Sequence, residues 1–112
     1  MFLPNFWYVA AWPSEIGAAP LARTICGEPI AIYRGADGKF VALEDRCCHR
    51  NLPLTMGKVE GNNLRCGYHG LLFDRGGKVI EVPGQSHIPP GAEVKSYPLV
   101  ERWKLLWIWM GD

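Results

Sequence analysis

With 112 residues, a formal net charge of +1 and 48% apolar residues, the chain has room for one domain and one core, burying somewhat under about 70% of its unfolded surface. Its near-neutral charge excludes an electrostatic grip on nucleic acid or an anionic membrane, and its apolar content excludes disorder. Thirteen glycines and nine prolines indicate short strands joined by many turns.

The first stretch, "MFLPNFWYVAAWP", is apolar but lacks the basic leader of a secretory signal and is broken by Pro4, Asn5 and Pro13. Nothing further along approaches the roughly 18 apolar residues of a membrane span. The expectation is a cytoplasmic protein with no membrane partner. In that reducing compartment Cys26, Cys47, Cys48 and Cys66 are metal ligands or buried thiols rather than disulfides.

Runs rich in aromatic and β-branched residues between turn signals predict an all-β, antiparallel domain. Strands are expected at residues 7–11, 22–26, 30–33 and 39–43, with "GADGK" at 35–39 turning between the last two. Further strands are expected at 58–59, 63–65, 72–73, 79–81, 95–99 and 104–110, and "PSEIG" yields at most one helical turn. Residues 82–94 form a Pro/Gly-rich loop, where His87 is solvated. The final run "KLLWIWMGD" has the nearly continuous apolar character of a strand covered on both faces. Its abrupt end suggests that the natural molecule continues. Trp7, Trp12, Trp103, Trp107 and Trp109 are expected to pack in the core.

Two loops, 45–53 and 66–70, carry the chemistry. "DRCCHR" and "CGYHG" place Cys47 two residues before His49 and Cys66 three residues before His69. Each loop thus offers one thiolate and one imidazole. Such mixed pairs suit a two-iron cluster in which two cysteines bind one iron and two histidines the other, because each loop then reaches across both metals. Structural zinc stays open, since Cys2His2 is a legitimate zinc set, although zinc sites usually group like ligands. Nucleophilic catalysis has no use for two such pairs in matching loops.

The segment "DRCCHRNLPLTMGKVEGNNLRCGYHGLLFD" resembles the C-x-H-x16-C-x-x-H signature of Rieske [2Fe-2S] domains, within them the Rieske non-haem iron oxygenases of the vanillate O-demethylase and dicamba monooxygenase type. "NFWYVAAWPSEI", "PLARTICGEPIAIYRGADGKFVALEDRC" and "VKSYPLVERWKLLWIWMGD" extend the resemblance over essentially the whole chain, residues 1–112. It implies a Rieske-type antiparallel β sandwich with a small cluster-binding subdomain of two loops. It makes Cys47 and Cys66 the sulfur ligands and His49 and His69 the nitrogen ligands. Cys48 stands where the family usually has proline, and its side chain is expected to face away from the cluster; Asn51 replaces a common glycine. By the same resemblance Arg50 meets a carboxylate on a partner surface, Tyr68 shields the cluster, and the electron leaves through His69.

Respiratory relatives have a second cysteine in each loop and a serine after the second His-Gly. Here those positions hold Gly67 in the second loop and Leu71. With fewer donors to the cluster sulfurs, the potential belongs near the low end of the roughly −150 to +300 mV Rieske range. Such a cluster suits electron delivery to a second iron that activates O2. That iron needs two histidines and a carboxylate, and after His49 and His69 only His87 is left, so no catalytic residue is assigned in these 112 residues. The resemblance therefore implies the electron-transfer domain of an aromatic-compound monooxygenase, demethylase or dioxygenase, whose mononuclear-iron catalytic domain lies outside this chain. Its implied partners are a reductase or ferredoxin donor and the catalytic domain of its own or a neighbouring subunit in a homotrimer. The alternative is a free-standing Rieske ferredoxin.

Overall fold

The computed structural model describes residue 3 and residues 5–47, 52–67 and 70–111. Eleven strands form three antiparallel sheets among these residues, with no α-helix. In chain order they are β1 (Phe6–Ala11), β2 (Leu21–Ile25), β3 (Glu28–Arg34), β4 (Phe40–Glu44), β5 (Lys58–Glu60), β6 (Asn63–Arg65), β7 (Leu72–Phe73), β8 (Val79–Glu81), β9 (Ser96–Tyr97), β10 (Leu99–Arg102) and β11 (Leu105–Met110). The basal sheet runs β1-β11-β10, the central sheet β2-β3-β4-β9 and the distal sheet β5-β6-β7-β8.

The central sheet divides two cores by the alternation of its side chains. On β3 and β4, Ile30, Ile32 and Ala42 point into a core shared with Leu106, Ile108 and Met110 of the basal sheet. Their neighbours Ala31, Tyr33, Val41 and Leu43 point the other way, into a core with Leu54, Leu64, Phe73, Cys47 and Cys66. This two-sided burial explains the unbroken apolar run in β3, which a one-sided strand would have interrupted with polar residues.

Turn chemistry fixes the hairpins. Cys26 and Gly27 take positive φ between β2 and β3, the backbone twist that a two-residue hairpin requires. Trp103 and Lys104 do the same between β10 and β11, at φ 55° and 63°, without a glycine. The β3–β4 turn closes through Gly35 N–H to the Lys39 carbonyl at 2.9 Å. Tyr33 crosses between sheets, its buried hydroxyl donating to the Asn62 carbonyl at 3.0 Å.

The structure departs from four expectations. The strand expected over 95–99 breaks at Pro98, which supplies no N–H, and resumes as β10 through Arg102. A short 3-10 turn at Leu54–Met56 was not foreseen. The tryptophans are not core residues: Trp7, Trp12 and Trp103 are exposed and Trp107 and Trp109 half-buried, because only alternate residues of β11 face inward. For the same reason β11 is fully covered on one face only. "PSEIG" does give the single turn expected, at Pro13–Glu15, and His87 is exposed in its loop.

Candidate metal centre

Cys47 and Cys66 leave the ends of β4 and β6 and enter the same core, 1% and 2% exposed. Neither is joined in a disulfide. The two loops close in the same way. Cys47 N–H donates to the Leu52 carbonyl and Cys66 N–H to the Leu71 carbonyl, each at 2.7 Å. Four residues therefore stand inside each closure, residues 48–51 in the first and 67–70 in the second. His49, Arg50, Cys48 and Asn51 of the first loop, and Tyr68 and His69 of the second, lie outside the described residues, as do the orientation expected of Cys48 and the roles expected of Arg50 and Tyr68.

Each loop is pinned by a polar clamp. At the first, buried Asp45 accepts from both the backbone N–H and the hydroxyl of Thr55, each at 2.9 Å, tying the strand before Cys47 to the 3-10 turn after the loop. Asp45 N–H itself donates to the Pro29 carbonyl on β3 at 3.0 Å. At the second, the Arg65 guanidinium donates to Glu60 through Nε and Nη2 at 3.0 and 2.9 Å, and through Nη1 to Glu81 at 2.7 Å and to the Gly70 carbonyl at 2.8 Å. Arg65 immediately precedes Cys66, and the carbonyl it holds immediately follows His69. Its hydrogen bonds hold the Glu60 carboxyl below the usual glutamate range, while Glu60 and then Glu81 push the guanidinium further up.

The loops approach each other through glycines. A side chain on Gly57 would place its first carbon 1.8 Å from the Arg65 carbonyl oxygen, and one on Gly67 would come within 2.8 Å of the Met56 carbonyl oxygen. Only residues without a Cβ permit this spacing.

Two buried thiols in one core fit the sulfur side of an iron–sulfur cluster. Leu54, Leu64, Leu71 and Phe73 share that core and keep water from the thiols. Sequence reasoning found the cysteines from their spacing with histidine. It missed Asp45, Thr55 and Arg65, whose one signal is adjacency: an acid two residues before Cys47 and a base one residue before Cys66.

Comparison with known proteins agrees with this geometry. The Rieske [2Fe-2S] domain family profile matches residues 6–98. The chain is 56% identical to the iron-sulfur subunit TsaM1 of the toluene-4-sulfonate monooxygenase system of Comamonas testosteroni, covering 100% of this chain and 33% of that protein. It is 48% identical to the oxygenase component of dicamba O-demethylase from Stenotrophomonas maltophilia, over 99% of this chain and 33% of the relative. The crystal structure of apo dicamba monooxygenase superposes with a TM-score of 0.94 at 48% identity, over 99% of this chain and 35% of that one. The chain thus spans about a third of the length of these relatives. None of its described helices is long and apolar enough to cross a membrane.

Proposed function

Because this chain belongs to the Rieske [2Fe-2S] domain family, we propose that it is the electron-transfer part of an oxygenase component acting on substituted aromatic compounds, as a monooxygenase or demethylase. It takes one electron at a time from a reductase or ferredoxin and delivers it to a mononuclear iron in the catalytic part of a longer protein. The observation that carries this reading is the pair of buried thiols, Cys47 and Cys66, in two loops closed by the same hydrogen bond, in a chain whose relatives are oxygenase components three times its length.

When bound, the [2Fe-2S] cluster supplies a centre that takes up and returns a single electron. Cys47 and Cys66 would hold its sulfur-ligated iron, and His49 and His69 the other. Buried aliphatic side chains keep the thiolates dry, while the Asp45–Thr55 and Arg65–Gly70 clamps fix both loops and limit how far they relax when the charge changes. Leu71 presents an aliphatic side chain to the core where a hydroxyl would favour the reduced state, which keeps the potential low. His69 stands in the second loop as the point of electron exit toward the catalytic domain of a neighbouring subunit in a trimer.

The test is spectroscopic and then functional. Two irons and two sulfides per chain, with the electron paramagnetic resonance of a mixed-ligand cluster, distinguish this reading from zinc. Protein-film voltammetry is expected to give a midpoint below about 0 mV at neutral pH, in the lower part of the Rieske range. The full-length protein, supplied with reductant and O2, is expected to oxidise aromatic acids or ethers. Bound zinc, or a midpoint near +300 mV, would refute the reading.

A further inference from the structure

The basal sheet turns its outer face away from the thiols. Its inner face, with Leu106, Ile108 and Met110, packs on the central sheet, and the cysteine core lies on that sheet's other side. The outer face is apolar nonetheless. Of the ten large apolar side chains open to solvent among the described residues, five belong to β1, β10 and the residues directly after them and lie away from the inward face that Phe6 shares with Met110: Trp7, Val9, Trp12, Val100 and Trp103. Chance would scatter such residues over three sheets, and single exposed apolar residues need no explanation; a concentration on one face does.

The face also has structure. Trp7 and Trp109 meet edge to face with ring centres 5.5 Å apart, and Trp103 and Trp107 do so at 6.0 Å. The Arg102 guanidinium lies 5.8 Å from the centre of the Trp103 ring. Trp7, Val100, Arg102, Trp103 and Trp107 line an open cleft of about 410 Å³. Tryptophan and arginine around an apolar recess are the composition of the energetic centre of a protein interface. Trp103, in the two-residue turn between β10 and β11, is 75% exposed.

We propose that this aromatic face is the seat of the catalytic part of the same polypeptide, and that this part docks on the basal sheet through Trp7, Val100, Trp103 and Trp107. The inference rests on the function proposed above. Three observations favour this occupant over a second copy of the domain. Relatives carry about two thirds of their length outside the matched region, and that polypeptide needs a surface to rest on. The basal sheet contains β11 as its middle strand, so any chain that follows Gly111 emerges at the rim of the face. Docking there also leaves the Cys47 and Cys66 loops, across the domain, open to electron donor and acceptor.

The experiment is hydroxyl-radical footprinting of the full-length, cluster-loaded protein, each rate being normalised to the same residue in the unfolded chain. Trp103 and Trp7 are expected to be protected at least about tenfold, as for the centre of an interface, while Met56, 72% exposed beside the first loop, stays reactive. In full-length Trp103→Glu, Trp7 and Trp107 are expected to become reactive while the visible spectrum of the cluster is retained. Reactive Trp103 in the wild-type protein overturns the proposal. So does protection that disappears on dilution to monomers, since the occupant is then another copy, and so does unchanged protection of Trp7 in Trp103→Glu. If that variant loses its cluster and unfolds, the milder Val100→Ser takes its place, with the same outcome expected. A protein with protected Trp103 but no iron or sulfide would sink the electron-transfer reading and leave the docking face standing.

Discussion

Gly57 sits so close to Arg65 that a methyl group in place of its hydrogen would penetrate the Arg65 carbonyl oxygen, at 1.8 Å. The contact joins the end of the 3-10 turn after the first loop to the residue before Cys66, and thereby sets the distance between the loops. Gly57→Ala is expected to force the two segments apart, at a cost of about 3 kcal/mol. Iron content is expected to fall together with the melting temperature. A variant with full iron and unchanged stability would show that the loops separate freely.

Removing the Asp45 carboxylate leaves the Thr55 N–H and hydroxyl without their acceptor in a buried setting. Hydrogen bonds to a charged group contribute about 1.5–3 kcal/mol, so Asp45→Ala is expected to lose about that much in urea unfolding. Thr55→Val keeps the backbone bond and loses only the hydroxyl's, so its loss is expected to be smaller. Equal losses in the two variants would place the clamp's strength in the hydroxyl alone.

The adjacent cysteines separate by iron and sulfide analysis. Cys47→Ala and Cys66→Ala are expected to lose the cluster, because each removes a thiol buried in the core that holds the other. Cys48→Ala is expected to keep it. Retention in Cys47→Ala with loss in Cys48→Ala would shift the ligand register by one residue.

Alkaline stability reports on Tyr33. Burial pushes its phenol up to about 12, against about 10 in an unfolded chain. A raised pKa means that the folded state holds the proton more tightly. Its contribution is therefore complete below pH 10 and is lost as pH rises toward 12, by about 2–3 kcal/mol at most. Burial and the hydrogen bond to Glu28 also raise Tyr97, with the same sign. Urea titrations from pH 9 to 12 are expected to show a shallower decline in Tyr33→Phe than in the parent. That variant starts lower by about 1 kcal/mol, having lost the bond to Asn62.

Legibility in the sequence followed the range of the interaction. The hairpin at residues 35–39 and β6, β7 and β8 were readable because turn residues and local alternation determine them. The break at Pro98 was readable in principle, since proline cannot donate to a ladder. The outward tryptophans were not: an apolar residue on β11 looks the same whether it faces the core or a partner, and only the pairing of Trp7 with Trp109 and Val9 with Trp107 reveals the side. The cysteines were legible from spacing, whereas Arg65 acts through Glu60, Glu81 and Gly70, whose proximity is created by the distal sheet.

The pairing of β1 with β11 sets Phe6 opposite Met110, so the first and last strands clasp each other while the thiol-bearing segment lies between them in the chain. Contacts so remote in sequence carry a large loop-closure cost and form slowly, whereas the β5–β6 hairpin between Cys47 and Cys66 closes locally. On folding, the β5–β6 hairpin is therefore expected to close before the β1–β11 clasp. A nascent chain can gather its two cysteines before the final strand has been made, and iron loading need not wait for the domain to close.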